Sequence, residues 1–229
     1  MDIKEKLTNI RNRIREAAET CGRDPQTVRL VAVSKTKPAD SVLGAIEAGV
    51  TILGENYIQE ARDKINALAS HPVSWHFIGH LQTNKAKYAV KLFDLIHSVD
   101  SLKLARQLND EGEKVNKIQN ILIQVNVGKE ETKSGVSSEE AVSLIEEISI
   151  LPNLSIRGLM TMPPFFDDPD RARPYFKELA DLWHYIRGRN IPNVVMEELS
   201  MGMTGDFKVA IECGSTLVRI GTAIFGSRN

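Results

Sequence analysis

The sequence predicts an α/β fold, a TIM-like (β/α)8 barrel preceded by one helix. Eight short apolar segments alternate with longer amphipathic segments along the chain. The chain has 229 residues, which falls in the range of roughly 200 to 250 residues that such a barrel needs. No glycine-rich dinucleotide or nucleotide motif follows an apolar segment, which disfavours the competing architecture, a doubly wound open sheet.

The first element is an amphipathic helix. Apolar residues recur at helical spacing between Ile3 and Ala18. Asp2 suits the N-cap, Glu5 completes a capping box three residues later, and Gly22 suits the end of the helix. The chain is therefore expected to begin with a helix that has one apolar face.

Eight strand candidates follow this helix. They are RLVAV from residue 29, TILG from 51, SWHFI from 74, LIHSV from 95, ILIQVNV from 121, SIRGLM from 155, VVMEEL from 194 and TLVRI from 216. The segments between them have helical periodicity and are expected to end near Ala48, Ala69, Leu92, Val115, Ile148 and Arg189, with a short helix after the seventh strand. No linker, repeat or change of composition divides the chain, so we expect a single domain over residues 1–229.

Composition excludes several classes of protein. The formal net charge of −1 and the absence of a basic stripe disfavour nucleic acid as a partner. No apolar segment is long enough to span a membrane, and Cys21 and Cys213 form no metal or redox motif, which fits a cytoplasmic protein. His76 and His80 lie across a strand-to-loop junction and not on one helix face, so no metal site is expected.

The ends of the seventh and eighth strands predict a phosphate site. SMGMTGDF follows the seventh strand and contains Ser200 and Gly202, while RIGTAIFG ends the eighth and contains Gly221 and Thr222. Small residues let a phosphate approach the main chain, hydroxyls can donate to it, and many barrels bind phosphate at these two strand ends. Either segment alone is equally compatible with an ordinary tight turn.

Two basic residues suggest which phosphate compound would bind. Arg219 is a charged residue within an apolar strand and needs a partner there, unless it extends to the rim. Lys35 follows the first strand in the turn SKTKP, where Pro38 is expected at the first helical position. Desolvation and neighbouring cations such as Lys37 favour the neutral amine, which attacks an aldehyde to form a Schiff base. A phosphate site with such a lysine suggests pyridoxal 5'-phosphate (PLP).

Polar residues at other strand ends are candidates to flank the ring of this cofactor. Asn56 and His76 are expected beside the ring, with Thr161 nearby. Met160 and Met162 can pack on its faces. Each of these residues, taken alone, is equally compatible with a place in the core or at the rim.

The whole chain resembles the pyridoxal phosphate homeostasis proteins. The resemblance covers AVSKTKP, GENYIQEA, WHFIGHLQTNK, NVGKEETKSG, GLMTMPP, ELSMGMTGDF and STLVRIGTAIFG, in this order. It implies a fold-type III PLP barrel, similar to the N-terminal domain of alanine racemase, without the β-domain that follows the barrel in the racemases.

The resemblance also implies roles for individual residues. Lys35 would be the Schiff-base residue and Arg219 would face the pyridine nitrogen, while Asn56 and His76 would lie beside the ring. The residues that would hold the phosphate are Ser200, Gly202, Gly221 and Thr222. Lys37 and Lys133 lie in motifs of the family and are possible secondary lysines.

The leading hypothesis is a non-catalytic carrier that holds PLP and passes it to PLP-dependent apoenzymes. An arginine cation at the pyridine nitrogen opposes protonation of the ring, which narrows the chemistry to racemisation or none. A weak racemase would need a second acid, for which His76 and Tyr57 are candidates. A Schiff-base aldolase acting on a sugar phosphate is the third hypothesis. Because no second domain follows the barrel, we expect a monomer.

Overall fold

The computed structural model describes residues 2–128, 130 and 134–226, and these form a closed barrel of eight parallel strands. The strands are β1 Arg29–Val33, β2 Ile52–Glu55, β3 Ser74–Phe77, β4 Leu95–Val99, β5 Gln119–Gln124, β6 Leu154–Met160, β7 Val194–Met203 and β8 Leu217–Ile220. Each strand pairs with the next one along the chain, and β8 pairs with β1. The predicted (β/α)8 fold is confirmed.

Helices follow the strands on the outside of the barrel. They are α1 Ile3–Thr20, α2 Ala39–Glu47, α3 Ile58–Ala67, α4 Ala86–Leu92, α5 Leu102–Lys114, α6 Ser138–Ser149, α7 Arg173–Gly188, α8 Phe207–Glu212 and α9 Thr222–Phe225. Short 3-10 turns lie at Pro25–Thr27, Thr83–Lys85 and Pro169–Ala172. The prediction of Pro38 at the first helical position is wrong by one residue, because Pro38 is the N-cap of α2 with an extended backbone and Ala39 is the first helical residue.

The N-terminal helix α1 forms as its caps predict. Asp2 and Glu5 make the reciprocal capping box, each side chain accepting a hydrogen bond from the backbone N–H of the other residue. The buried face of α1 carries Leu7, Ile10 and Ile14, and the helix packs against α8 and α9. This packing fixes the position of the two elements that follow β7 and β8.

The barrel interior contains one apolar layer and one polar chain. The apolar layer has one buried residue from each of six strands, namely Val31, Ile52, Leu95, Leu122, Met160 and Leu217. The two strands absent from this layer, β3 and β7, instead contribute His76 and Ser200, which are joined by hydrogen bonds through His97 of β4. A buried polar chain in a barrel needs internal partners, and these residues supply them to one another.

Strand β7 carries one extra residue where it approaches the carboxyl end of the barrel. Ser200 pairs with Leu217 and Met203 with Arg219, so three steps along β7 match two along β8. Gly202 lies within this bulge with a φ of +90°. A side chain at this φ would be strained, and its Cβ would lie 2.5 Å from the Cβ of Ala210. The bulge turns the end of β7 toward the turn that precedes α8.

Two further findings concern membrane-spanning helices and clusters of metal ligands. No helix in the described part of the chain combines the length and the apolar content needed to cross a bilayer. Within residues 2–128, 130 and 134–226, no three His, Cys, Asp or Glu side chains are grouped so that they could hold a metal ion.

Candidate binding site

A cavity of about 330 Å³ opens at the carboxyl ends of the strands. This is the end at which barrels of this type place their binding sites. Its wall has two kinds of residue. The polar ones include Lys35, Lys37, Asn56, Thr204, Asp206, Arg219 and Thr222, and the apolar ones include Val33, Ile78, Met162, Phe165, Phe166, Met203 and Phe225. These polar residues include three basic side chains and one acidic side chain, Asp206. The cavity therefore suits an anion with an apolar body.

Lys35 reaches the cavity from a tight turn between β1 and α2. Lys37 N donates to Ser34 O at 3.1 Å, which closes the turn around Lys35 and Thr36. Thr36 has a φ of 63°, a left-handed conformation that a β-branched residue rarely adopts. Such backbone strain persists only where surrounding contacts hold it in place.

Those contacts come from a buried charged network beneath the turn. Lys64 of α3 donates from Nζ to Ser34 O at 2.6 Å, to Glu55 Oε1 at 2.7 Å and to Glu60 Oε1 at 2.6 Å. Ser34 Oγ donates to Glu55 Oε1, and Thr36 N donates to Glu60 Oε1. The residues on both sides of Lys35 are therefore tied to one buried lysine and its two carboxylates.

The pKa of Glu55 is raised within this network. Burial is the main cause, and hydrogen bonds from Lys64 and Ser34 partly offset it. The side chain of Glu55 is completely buried and that of Lys64 nearly so. The ion pair therefore lies in the protein interior, where loss of either partner is costly.

Arg219 of β8 presents a buried guanidinium at the cavity wall. Its Nη1 donates to Ser200 Oγ at 2.5 Å and its Nη2 to Thr161 O at 2.8 Å. No carboxylate of the described residues lies within ion-pair distance of it. Burial lowers the pKa of Arg219 to about 10, and the charge of Asp206 partly offsets this effect. The guanidinium is thus a donor that two neutral oxygen acceptors hold in place.

A series of hydrogen bonds leads from Arg219 through Ser200 to two neutral histidines in the barrel interior. Ser200 Oγ lies 2.9 Å from His97 Nδ1, and His97 Nε2 lies 3.0 Å from His76 Nδ1. Burial lowers the pKa of His76 to about 4 and that of His97 well below its usual value. Both imidazoles are therefore uncharged at neutral pH.

The turns after β7 and β8 meet at the cavity. Thr222 Oγ1 donates to Thr204 Oγ1 at 3.3 Å across the two turns. Gly221 approaches β1 so closely that a Cβ there would lie 3.2 Å from Val33 O. Asp206, which has a pKa raised by burial, accepts a hydrogen bond from Met203 N at 2.6 Å and so stabilises the turn after β7. Hydroxyls and a side-chain-free glycine border this part of the cavity.

Asn56 faces the cavity from the turn after β2. Its Oδ1 is buried and has no hydrogen-bond partner in the part of the chain that the structure describes. Gly79 supports it from the end of β3, since a Cβ at residue 79 would lie 2.4 Å from Asn56 O. An unsatisfied buried polar atom in a cavity wall indicates a position for a ligand or a water molecule.

The structure brings some of the sequence-predicted residues to the cavity wall and places others behind it. Lys35, Asn56, Arg219, Gly221 and Thr222 line the cavity. The predicted residues that are not part of this lining are His76, Met160, Ser200 and Gly202. Three of these belong to the barrel interior and Gly202 packs against α8, because strand residues alternate between the two faces and those farther from the strand ends lie below the cavity.

Of the four residues predicted to hold the phosphate, Gly221 and Thr222 line the cavity, whereas Ser200 and Gly202 do not. Ser200 is fully buried behind the cavity wall, where its hydroxyl contacts Arg219 and His97. Lys37 lines the cavity beside Lys35. Lys133 lies outside the described residues.

Sequence reasoning missed Lys64, Glu55 and His97. A signal for Lys64 was present, because it follows Ala61 by three residues on the buried face of α3. His97 similarly interrupts the apolar strand LIHSV. A charged or polar residue at an apolar position indicates a buried partner, but the sequence does not say which one.

Comparison with known proteins shows the family to which the chain belongs. Residues 6–229 match the family model described as the alanine racemase N-terminal domain. The chain is 44% identical to the pyridoxal phosphate homeostasis protein of Vibrio alginolyticus, over 99% of this chain and 98% of that one. It is 43% identical to the protein of the same name from Aquifex aeolicus, over 100% and 99% of the two chains. The chain belongs to the pyridoxal phosphate homeostasis protein family.

Solved structures of this family and of enzymes with the same fold match the barrel. PipY of Synechococcus elongatus, in a structure with PLP bound, has a TM-score of 0.86 and 32% identity, and the match covers 98% of this chain and all of PipY. An alanine racemase from Clostridium difficile has a TM-score of 0.71 at 16% identity, and the match covers 57% of that chain. The racemase comparison shows the shared fold alone.

Proposed function

We propose that the chain binds PLP in the cavity at the carboxyl ends of the strands, holds it as a Schiff base on Lys35, and serves in PLP homeostasis as a non-catalytic carrier. One observation carries the proposal: Lys35, Arg219 and the Gly221–Thr222 turn line a single cavity of about 330 Å³. A family member with PLP bound, matched over nearly the whole chain, supports the same cofactor.

The residues of the cavity fit the chemical groups of this cofactor. Arg219 is a buried cation that makes no ion pair with a described carboxylate, and it can donate to a ring nitrogen. Asn56 has an unsatisfied buried oxygen in the wall. Gly221 and Thr222, with Thr204 opposite, border the part of the cavity where a phosphate would be held. The apolar residues of the wall suit the faces of an aromatic ring.

Each of the polar residues then has one task. When bound, PLP supplies an aldehyde, to which a neutral lysine amine adds to form an imine with the loss of one water molecule. Lys35 supplies that amine from a turn fixed on both sides. Arg219, as a permanent donor, opposes protonation of a ring nitrogen that faces it, because two positive charges would then lie together.

The same residues favour a carrier over a racemase. A racemase needs a second proton donor that reaches the reacting carbon. Of the two sequence-predicted candidates, His76 is buried in the barrel interior and neutral, and Tyr57 is 58% exposed. Neither belongs to the described lining of the cavity. Asp206 does line it, and there its Oδ1 accepts a hydrogen bond from the backbone N–H of Met203, which fixes the carboxyl group in the turn after β7.

The proposal extends to the way in which the chain works as a whole. All eight strands close one barrel, which supports a single PLP-binding domain over residues 1–229. The recipients of the cofactor would be PLP-dependent apoenzymes, and the chain would act as a monomer in the cytoplasm. A gel-filtration mass measurement tests the monomer, and transfer of bound cofactor to an apoenzyme, followed by the gain of enzyme activity, tests the recipient.

The decisive experiment locates the cofactor on the chain. Purified protein is mixed with PLP, its absorbance is recorded before and after borohydride reduction, and the reduced protein is analysed by peptide mass spectrometry. Lys35→Ala is compared with Lys37→Ala, a control that also removes a lysine from the cavity wall two residues away. We expect a visible band and a pyridoxyl adduct on Lys35 in the wild type and in Lys37→Ala, and neither in Lys35→Ala.

The other outcomes exclude the proposal in different ways. The absence of both band and adduct from the wild type would favour an aldolase-type lysine, which stays colourless until its substrate arrives. An adduct on Lys37 alone would remove Lys35 from its role. Exchange of the α-hydrogen of an amino acid with solvent deuterium, faster than with free PLP, would show a racemase-like activity.

A further inference from the structure

We propose that Ser200, His97 and His76 are positioning residues that hold the Arg219 guanidinium in one orientation at the cavity wall. These residues form a hydrogen-bond chain through the interior of the barrel, and Arg219 is the member that lines the cavity. The inference rests on the proposed function only in assigning the guanidinium to a ring nitrogen of the ligand.

Only one direction of the hydrogen-bond chain gives the hydroxyl proton of Ser200 an acceptor among the residues that the structure describes. A guanidinium donates and never accepts, so Ser200 Oγ must accept from Arg219 Nη1. The single proton of that hydroxyl is then available for the next contact, and Ser200 Oγ donates to His97 Nδ1 at 2.9 Å. A neutral imidazole that accepts at Nδ1 carries its proton on Nε2, so His97 donates from Nε2 to His76 Nδ1 at 3.0 Å. Arg219 thereby determines the tautomers of two histidines.

Burial, assisted by nearby positive charges, lowers the pKa of both histidines and keeps their rings neutral. His97 faces the positive charge of Arg219 on one side and the ring of His76 on the other, and Arg29 contributes a further positive charge. His76 lies near Asp94 and Arg29, and burial outweighs the attraction of the Asp94 carboxylate. A protonated His97 would donate from Nδ1 to Ser200 Oγ, and the hydroxyl proton of Ser200 would then have no acceptor among the described residues. The neutral, directed arrangement is therefore the one in which the hydroxyl proton of Ser200 and the Nε2 proton of His97 both have an acceptor.

This arrangement matters because, among the residues that the structure describes, Thr161 O is the one other hydrogen-bond acceptor for Arg219. If His97 did not accept the Ser200 proton, that hydroxyl could rotate and its contact with Nη1 would weaken. The guanidinium would then lose one of the two described contacts that fix its plane. The hydrogen-bond chain thus holds the buried Arg219 guanidinium so that it donates in a defined direction.

The first test needs no cofactor. Histidine-selective ¹⁵N NMR of the full chain at neutral pH is expected to show His97 and His76 as neutral rings with the proton on Nε2. The Nη protons of Arg219, identified by their absence in Arg219→Lys, are expected as separate signals, because two fixed contacts slow the rotation of the guanidinium. A proton on Nδ1 of His97, or a charged His97 ring, would overturn the proposed direction.

The second test compares two substitutions of His97 with a matched control. His97→Asn places an amide oxygen near the position of Nδ1 and can accept from Ser200, whereas His97→Leu cannot. Ser98→Ala is the control, because Ser98 is also buried on β4 and its Oγ has no partner among the residues described. The separate Arg219 signals are expected to persist in His97→Asn and Ser98→Ala and to merge in His97→Leu.

Binding of PLP supplies an independent readout. By spectroscopic titration, His97→Leu is expected to bind PLP about tenfold more weakly than the wild type, since one hydrogen bond to a charged group has lost its support. His97→Asn is expected to recover most of that loss. Unchanged Arg219 signals and unchanged affinity in His97→Leu would overturn the proposal. If the wild type does not bind PLP, the proposed function fails, but the NMR signals still decide the positioning role.

Discussion

Replacement of Lys64 by methionine tests the network that supports the Lys35 turn. Lys64→Met keeps the length and apolar stem of the side chain but removes the ammonium that contacts Ser34 O, Glu55 and Glu60. The Lys64 side chain is 5% exposed and that of Glu55 is fully buried, so the remaining carboxylate has no access to water. Removing one partner of such a pair typically costs 3 to 5 kcal/mol, and we expect a loss of about that size in the free energy of unfolding.

The expected loss depends on pH, with a direction that follows from Glu55. Burial already raises the pKa of Glu55 above its unfolded value, and the variant loses the hydrogen bond and charge of Lys64 that oppose this rise. For an acid with a raised pKa in the folded state, stability is fully present below the unfolded pKa and is lost as pH rises through the folded pKa. The deficit of Lys64→Met relative to the wild type should therefore be larger at pH 7 than at pH 5.

Urea unfolding at both pH values measures the two free energies. Glu55→Gln added to Lys64→Met removes the unpaired charge and should recover much of the stability. Lys114→Met is the matched control, because the Lys114 side chain is 64% exposed where it pairs with Glu111, and its loss should cost much less than that of Lys64. A deficit that is equal at pH 5 and pH 7, and that the second substitution does not reduce, would refute the account of a buried charge network.

Three further predictions concern the cavity and the barrel interior. Arg219→Gln should weaken PLP binding by about tenfold or more in a spectroscopic titration, since a charged donor is lost; unchanged affinity would exclude contact with the cofactor. Gly79→Ala places a Cβ 2.4 Å from Asn56 O and should lower the free energy of unfolding by about 1 to 3 kcal/mol, whereas wild-type stability in urea would contradict the close approach. His76 has a folded pKa of about 4, below its unfolded value, so stability is full above about pH 6.5 and is lost as pH falls toward 4. The cost by pH 4 is about 3 kcal/mol, and His76→Asn should reduce this pH dependence.

Much of the fold was predictable because periodicity and length constrain it strongly. The strands RLVAV and LIHSV coincide with β1 and β4, since runs of apolar β-branched residues between polar turns have few alternatives. The bulge in β7 was not predictable. SMGM shows a glycine, but only pairing with β8 reveals that one residue is extra and that Gly202 is in the left-handed region.

The site also contains features that the sequence predicted and features that it did not. Lys35, Asn56, Gly221 and Thr222 were predicted at the cavity because they follow strands, and strand ends meet at one face of a barrel. Arg219 was predicted there because it is a charged residue within an apolar strand. The sequence does not predict how far below that face a side chain lies. Ser200 and Met160 also occur near strand ends, but the stagger of the strands places them beneath the cavity wall.

The sequence by itself determined the fold class, the family and the end of the barrel at which the cavity lies, because these depend on local patterns and on the order of elements. Only the tertiary structure decided which polar residues contact one another. Lys64 of α3 contacts Glu55 at the end of β2, and Arg219 of β8 and His97 of β4 both contact Ser200 of β7. Their contacts depend on strand register and side-chain direction, and these are set when the barrel closes.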